Sequence, residues 1–180
     1  SPTRASPVVL SVTETTFGSA STTHNAGMPG AVDAGDGLKA AVALCHVNGS
    51  SPVVSAPVGW TLVGQGTDDF EMLGGLIKAA VGNEDGTSVN FATDESTRGT
   101  IRVERIEAGS WGGDAANDGA WAFAAGSDGA PNPPSLSPPW GSAATLWTVL
   151  GAADDPNGSA RTPAAPSGYG GFDANYTNNF

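Results

Sequence analysis

The segment GLKAAVALCHV, residues 37–47, is the longest apolar run in the chain, and how it is read decides the fold. Its alanines would suit an amphipathic helix. However, Asp33, Gly35 and Asp36 precede it and Asn48-Gly49 follow it, which are turn residues, and its neighbours are strand-like, so a strand is expected. VVLSVTETTF (8–17) is β-branched, and GTIRVERIEA (99–108) sets Ile101, Val103 and Ile106 against Arg102, Glu104, Arg105 and Glu107, which predicts one wet face. FEMLGGLIKAAVG (70–82), SVNFAT (88–93) and SAATLWTVLGAA (142–153) read as further strands, with Asp85-Gly86 as a hairpin signal. Between them GSASTTHNAGMPG (18–30) reads as loop, with one short polar strand around Thr22 and Thr23.

Composition agrees with an all-β chain. Gly numbers 26 and Pro 13 in 180 residues, scattered as punctuation between apolar runs, and charged residues make up only 14%. The length suits one domain, since domains commonly hold roughly 100 to 200 residues. Residues 1–7, SPTRASP, read as an N-terminal arm, and 8–180 as a single domain. Residues 109–139 (GSWGGDAANDGAWAFAAGSDGAPNPPSLSPP) form a long excursion, and so long a connection is usually functional or mobile.

APVGWTLVG (56–64) has a paler copy, APSGYGGF (165–172), at an offset of 109. The same offset places Asn48-Gly49-Ser50 on Asn157-Gly158-Ser159, and nine identities fall within the 32 positions 29–60. Each copy reads as a corner, with Pro fixing φ, Gly permitting positive φ, and an aromatic residue entering the core. Two such corners predict related halves packed face to face: an antiparallel two-sheet β-sandwich, jelly-roll-like, with long loops and an extended arm. Trp60, Trp147 and Tyr169 are the expected core aromatics.

The charge excludes one class of partner. With 7 Lys and Arg against 18 Asp and Glu the net charge is −11, which repels nucleic acid. No run approaches the roughly 18 apolar residues of a membrane span, and SPTRASPVVL lacks a leader's charged and apolar regions, so a soluble chain is expected. Cys45, the only cysteine, reads as a buried inert thiol.

Catalytic signals are weak. His24 lies in a polar loop and His46 at a strand end, both more simply structural, and neither GxSxG nor HExxH occurs. The acidic residues cluster in turns, where solvated carboxylates are the simpler account than a glycosidase pair. DDPNG (154–158) and DAAND (114–118) offer oxygens that calcium could use but do not follow the EF-hand pattern, so no metal and no cofactor is expected. The sequons at Asn48, Asn157 and Asn175 read as turn residues. Trp111, Trp121 and Phe123 in the excursion, with Tyr176 and Phe180 in the tail, are the candidate contacts for a partner or a glycan, with packing under their own loop the alternative for Trp111 and Trp121.

VDAGDGLKAAVAL, VSAPVGWTLVG, IKAAVGNEDGTSVNF, PPSLSPPWGSAATLW and PSGYGG, in that order over residues 32–171, resemble a domain of tailed-bacteriophage virion structural proteins: fibre, spike, adhesin-like or head-surface proteins. The resemblance implies a β-sandwich displayed on the virion surface and assembled in the host cytoplasm. It would be non-enzymatic, acting as a decoration, spike or fibre through contacts with copies of itself, a trimer being the habit of such proteins, and with other virion proteins. A carbohydrate-binding module or host-receptor adhesin, with a host surface glycan as partner, is the alternative. The chain stops at FDANYTNNF without the last apolar strand such a domain wants, so that strand is either missing or supplied by another chain.

Overall fold

The computed structural model describes residues 6–46, 51–68, 71–124, 134–141 and 143–151. Five strands, β1 (Val9–Gly27), β2 (Gly37–His46), β3 (Thr61–Asp68), β4 (Glu71–Ala79) and β5 (Ser88–Ile106), form one open antiparallel sheet in the order β1-β5-β2-β4-β3. No helix occurs among the described residues.

The run at 37–46 is the central strand, and period-2 alternation explains why. Leu38, Ala40, Val42 and Leu44 point into the core, while Lys39, Ala41, Ala43 and Cys45 point to the opposite, outer face. A helix would have scattered these two sets around its axis. Across the ladder Val42 meets Ile101 and Ala40 meets Val103, so the inner face is continuous from β2 to β5. The register also places Arg105 opposite Leu38 and Ile106 opposite Gly37. Arg105 thus shares the inner face with Ile101 and Val103, whereas Ile106 lies with Arg102 and Glu104 on the outer one, the reverse of the grouping expected from sequence.

β1 and β5 are each 19 residues long: β1 runs on through 18–27, which sequence reads mostly as loop, and β5 joins the strands expected at 88–93 and 99–108 into one. The stretch 18–27 stays in the ladder because Thr23, His24, Asn25 and Ala26 pair with Ala92, Phe91, Asn90 and Val89. Register shifts between Phe17, Ser21 and Thr23 bend the ribbon there. The bend is sharp: the Gly27 N–H donates to Thr15 Oγ1 at 3.0 Å, although twelve extended residues would span roughly 40 Å. Opposite, Gly99 adopts φ 148°, and a Cβ there would run into the Ala43 carbonyl, so only glycine fits.

The ribbon therefore folds over the inner face and closes the core. Phe91, Ala26 and Met28 from the folded-over half join Leu38, Val42, Leu44, Met72, Leu76, Ile101 and Val103 in one cluster. Val54 adds an isolated bridge to Thr93, and its N–H donates to Gln65 Oε1 at 3.0 Å. Phe91 meets Trp60 edge-on at 5.3 Å. Burial on this scale, at about 25 cal/mol per Å² of apolar surface, is what offsets the ordering of so much polar chain.

The corner at 56–60 forms as read. The Trp60 N–H donates to the Pro57 carbonyl at 3.0 Å, Gly59 has φ 81°, and Trp60 is 7% exposed. Its counterpart at 165–172, with Tyr169, lies outside the described residues, as do both NGS turns.

Three expectations are corrected. Asp85-Gly86 does not make a hairpin of β4 and β5, because β2 already occupies the edge of β4 that β5 would need; the turn delivers β5 to β1 instead. Residues 143–151 carry no strand. Trp147 in that segment is 46% exposed rather than in the core, while Thr148 next to it accepts from Lys39 Nζ on the sheet.

Candidate functional site

The outer face of the sheet is where the chain's excursion lands. An Arg105 latch fixes its root: Nε donates to Asp36 Oδ2 at 2.6 Å and Nη2 to Asp33 Oδ2 at 2.9 Å, while Asp36 Oδ1 accepts from the Ala108 N–H at 2.9 Å. The entry of β2 is thereby tied to the exit of β5. Burial pushes the Asp36 carboxyl up, but the bonds from Asp33, Arg105 and Ala108 together hold it below the usual range, so it stays ionised. Ser110 closes the turn onto Glu107 and accepts the Val8 N–H at 3.0 Å.

From there the excursion aromatics settle into hollows made by strand glycines. Trp111 lies over Gly37, 3.0 Å from where a Cβ would stand, and its Nε1 donates to the Gly35 carbonyl at 3.1 Å. Trp121 covers Gly64 and Gly75, which are paired across β3 and β4, and a Cβ on Gly64 would fall within its indole. Phe123 covers Gly66 in the same way. Trp121 Nε1 is buried without a partner among the described residues, an unmet donor that the indole's apolar contact must outweigh.

These aromatics, expected as contacts for a partner, are thus brought together as a cover for their own sheet. The sequence signal that marks this is glycine inside strands, in GQG (64–66) and LGGL (73–76), where a bare backbone invites close approach. Beyond the roof, Lys39 pairs with Glu104 at 2.6 Å and Arg102 Nε with the same carboxylate at 3.1 Å. Burial lowers the Lys39 pKa, and Glu104 partly restores it.

The remaining titratable groups serve loops and the bend. Glu84 accepts the N–H groups of Val81, Gly82 and Asn83 and pairs with Lys78 Nζ at 2.7 Å. Burial raises its pKa, but Lys78 and the amides prevail and bring it to about 2. His24 is buried at the ribbon bend, its Nε2 2.8 Å from Thr97 Oγ1 and its ring 4.9 Å from Phe17, and burial lowers its pKa against the Ser21 carbonyl. His46 lies 3.5 Å from Glu95.

The Asp114 carboxylate is occupied by the Ala116 N–H and Asn117 Nδ2, and Asp118 accepts the Asp114 N–H, so the DAAND oxygens close their own turn. Among the described residues no three His, Cys, Asp or Glu side chains gather as a metal set. Tyr176 and Phe180, like the DDPNG turn, lie outside the described residues.

The longest consecutive set of exposed large apolar residues, Val8 to Leu10, lies at the edge of β1. Val8, Val9, Leu10 and Val12 are 43, 37, 44 and 39% exposed, with no strand on that side among the described residues. Val9, opposite Ile106, and Val12, opposite Glu104, share the outer face, and Leu10 lies at the register shift between Val9 and Ser11, so this end of the edge is apolar and wet. Sequence reading passed over it because a β-branched run predicts a strand but not its place at an edge. The chain matches no family model, no curated protein and no solved structure.

Proposed function

We propose that the chain is a non-enzymatic structural domain of a tailed-phage particle, a decoration, spike or fibre component that works through protein-protein contacts at the virion surface. The observation that carries the reading is the contrast between the two sides of the fold. Charged groups and excursion aromatics are spent on tying loops and roofing the sheet, while an apolar strand edge is left open on a chain of net charge −11. Such an edge is a liability that natural β proteins usually blunt, unless it is used. The ordered resemblance over residues 32–171 supplies the setting. The folded-over β1–β5 ribbon supports reading the sheet as the two layers of a jelly-roll-like sandwich.

Mass spectrometry of particles purified from the producing host tests this. The chain should be present at a fixed copy number per particle; its absence from intact particles would overturn the reading. A glycan-binding module remains the second reading because Trp147 presents an exposed indole, the flat surface a sugar ring needs. A glycan array with Trp147→Ala as control decides it: saturable binding lost in that variant favours the module.

A further inference from the structure

From the free edge of β1 we infer that two copies of this chain pair edge to edge through residues 8–17, antiparallel about a two-fold axis. The inference rests on the assembly reading above and names its surface.

The two edges of the sheet differ. β3 is blunted: it bulges between Leu62 and Gly64, is roofed by Trp121 and Phe123, and ends at Asp68. β1 shifts register between Val9 and Ser11, but from Ser11 to Phe17 it keeps an unbroken register against β5, and it carries neither Lys nor Pro from Val8 to Phe17. Among the described residues no strand pairs with the outer side of β1, which leaves a template for another strand over residues 11–17.

Charge selects a second copy as the occupant. The chain carries 18 acidic residues, yet Glu14 is the only one before Asp33, and it sits opposite Arg102 in the β1–β5 ladder. The β1 edge is therefore where two acidic copies can meet without facing carboxylates. A two-fold axis perpendicular to the sheet sets residues of like parity opposite each other. Centred on Ser11 it places Leu10 of one copy against Val12 of the other, and centred on Val12 it places Val12 against itself. Either way the two Glu14 side chains stand four to six residues apart along the ladder, roughly 13–20 Å, beyond the Debye length of about 8 Å. A centre on Glu14 itself would set like charges face to face and is disfavoured. Pairing joins two five-stranded sheets into one of ten strands (5 + 5), within the range of open sheets.

The test is light-scattering mass of the full chain across a dilution series, with hydrogen exchange read on the amides of 11–17. A dimer is expected, with alternate amides of this stretch protected at high concentration and exchanging on dilution. Val12→Lys and Leu10→Lys, both at exposed positions, should weaken pairing by roughly ten-fold or more while leaving the circular dichroism unchanged. An oligomer whose mass Val12→Lys leaves unaltered, with exchange at 11–17 independent of concentration, overturns edge pairing but leaves the assembly reading standing. A monomer at the highest attainable concentration with unprotected edge amides also overturns it, and the assembly reading is then judged by particle composition alone.

Discussion

Glu84→Gln isolates one carboxylate that the loop between β4 and β5 is built around. In the folded chain Glu84 has a pKa of about 2 against an ordinary 4.5, and that gap corresponds to about 3 kcal/mol. The folded value lies below the unfolded one, so the unfolded chain binds the extra proton as pH falls. The contribution is fully present above pH 4.5 and is lost as pH falls toward 2. Urea unfolding followed by tryptophan fluorescence at a series of pH values between 7 and 2.5 measures it. Wild type should lose about 2–3 kcal/mol more over that range than Glu84→Gln, and at neutral pH the variant should start lower by a similar amount, since the glutamine keeps the loop's acceptor but not the Lys78 ion pair. Equal pH slopes in the two proteins would refute the placement of Glu84 as the ionised hub of the loop.

Other perturbations probe the bend, the roof and the core. Gly75→Val should displace the Trp121 ring, costing about 1–3 kcal/mol and shifting tryptophan emission to the red, because a Cβ there already stands 3.0 Å from the indole. Gly99→Ala meets both φ 148° and the Ala43 carbonyl, so its thermal midpoint should fall further than that of Gly75→Val. His24 is held neutral by burial, so its contribution is intact above pH 6.5 and declines as pH drops; His24→Gln should flatten stability between pH 7 and 5.5 in calorimetry. Trp60→Ala should cost about 3–5 kcal/mol, whereas Trp147→Ala should cost under about 1 kcal/mol, a contrast that denaturant titration resolves.

Where side chains alternate, the fold was readable before the structure. Leu38, Ala40, Val42 and Leu44 announce β2, and Pro57 with Gly59 announces the corner that seats Trp60. The long ribbon was not readable, because GSASTTHN and the polar stretch near residue 95 lack the apolar alternation of the rest, and what keeps them in the ladder is cross-strand pairing plus a buried His24–Thr97 contact. The apolar residues of 143–151 suggest a strand, but among the described residues no strand of the sheet pairs with them. The second corner of the repeat, at 165–172, lies outside the described residues.

The candidate site was half legible. Composition draws attention to Trp111, Trp121 and Phe123, but their destination depends on hollows left by Gly37, Gly64, Gly66 and Gly75, and a missing side chain leaves no periodic trace. The exposure of Val9, Leu10 and Val12 depends on strand order, which no local pattern encodes.

The central claim, that the chain is a displayed structural component of a particle, is tested most directly by electron microscopy of virions decorated with an antibody to it. The account predicts regular label on the outside of intact particles, at symmetry-related positions. Label confined to free protein in the lysate, with bare particles, would contradict it.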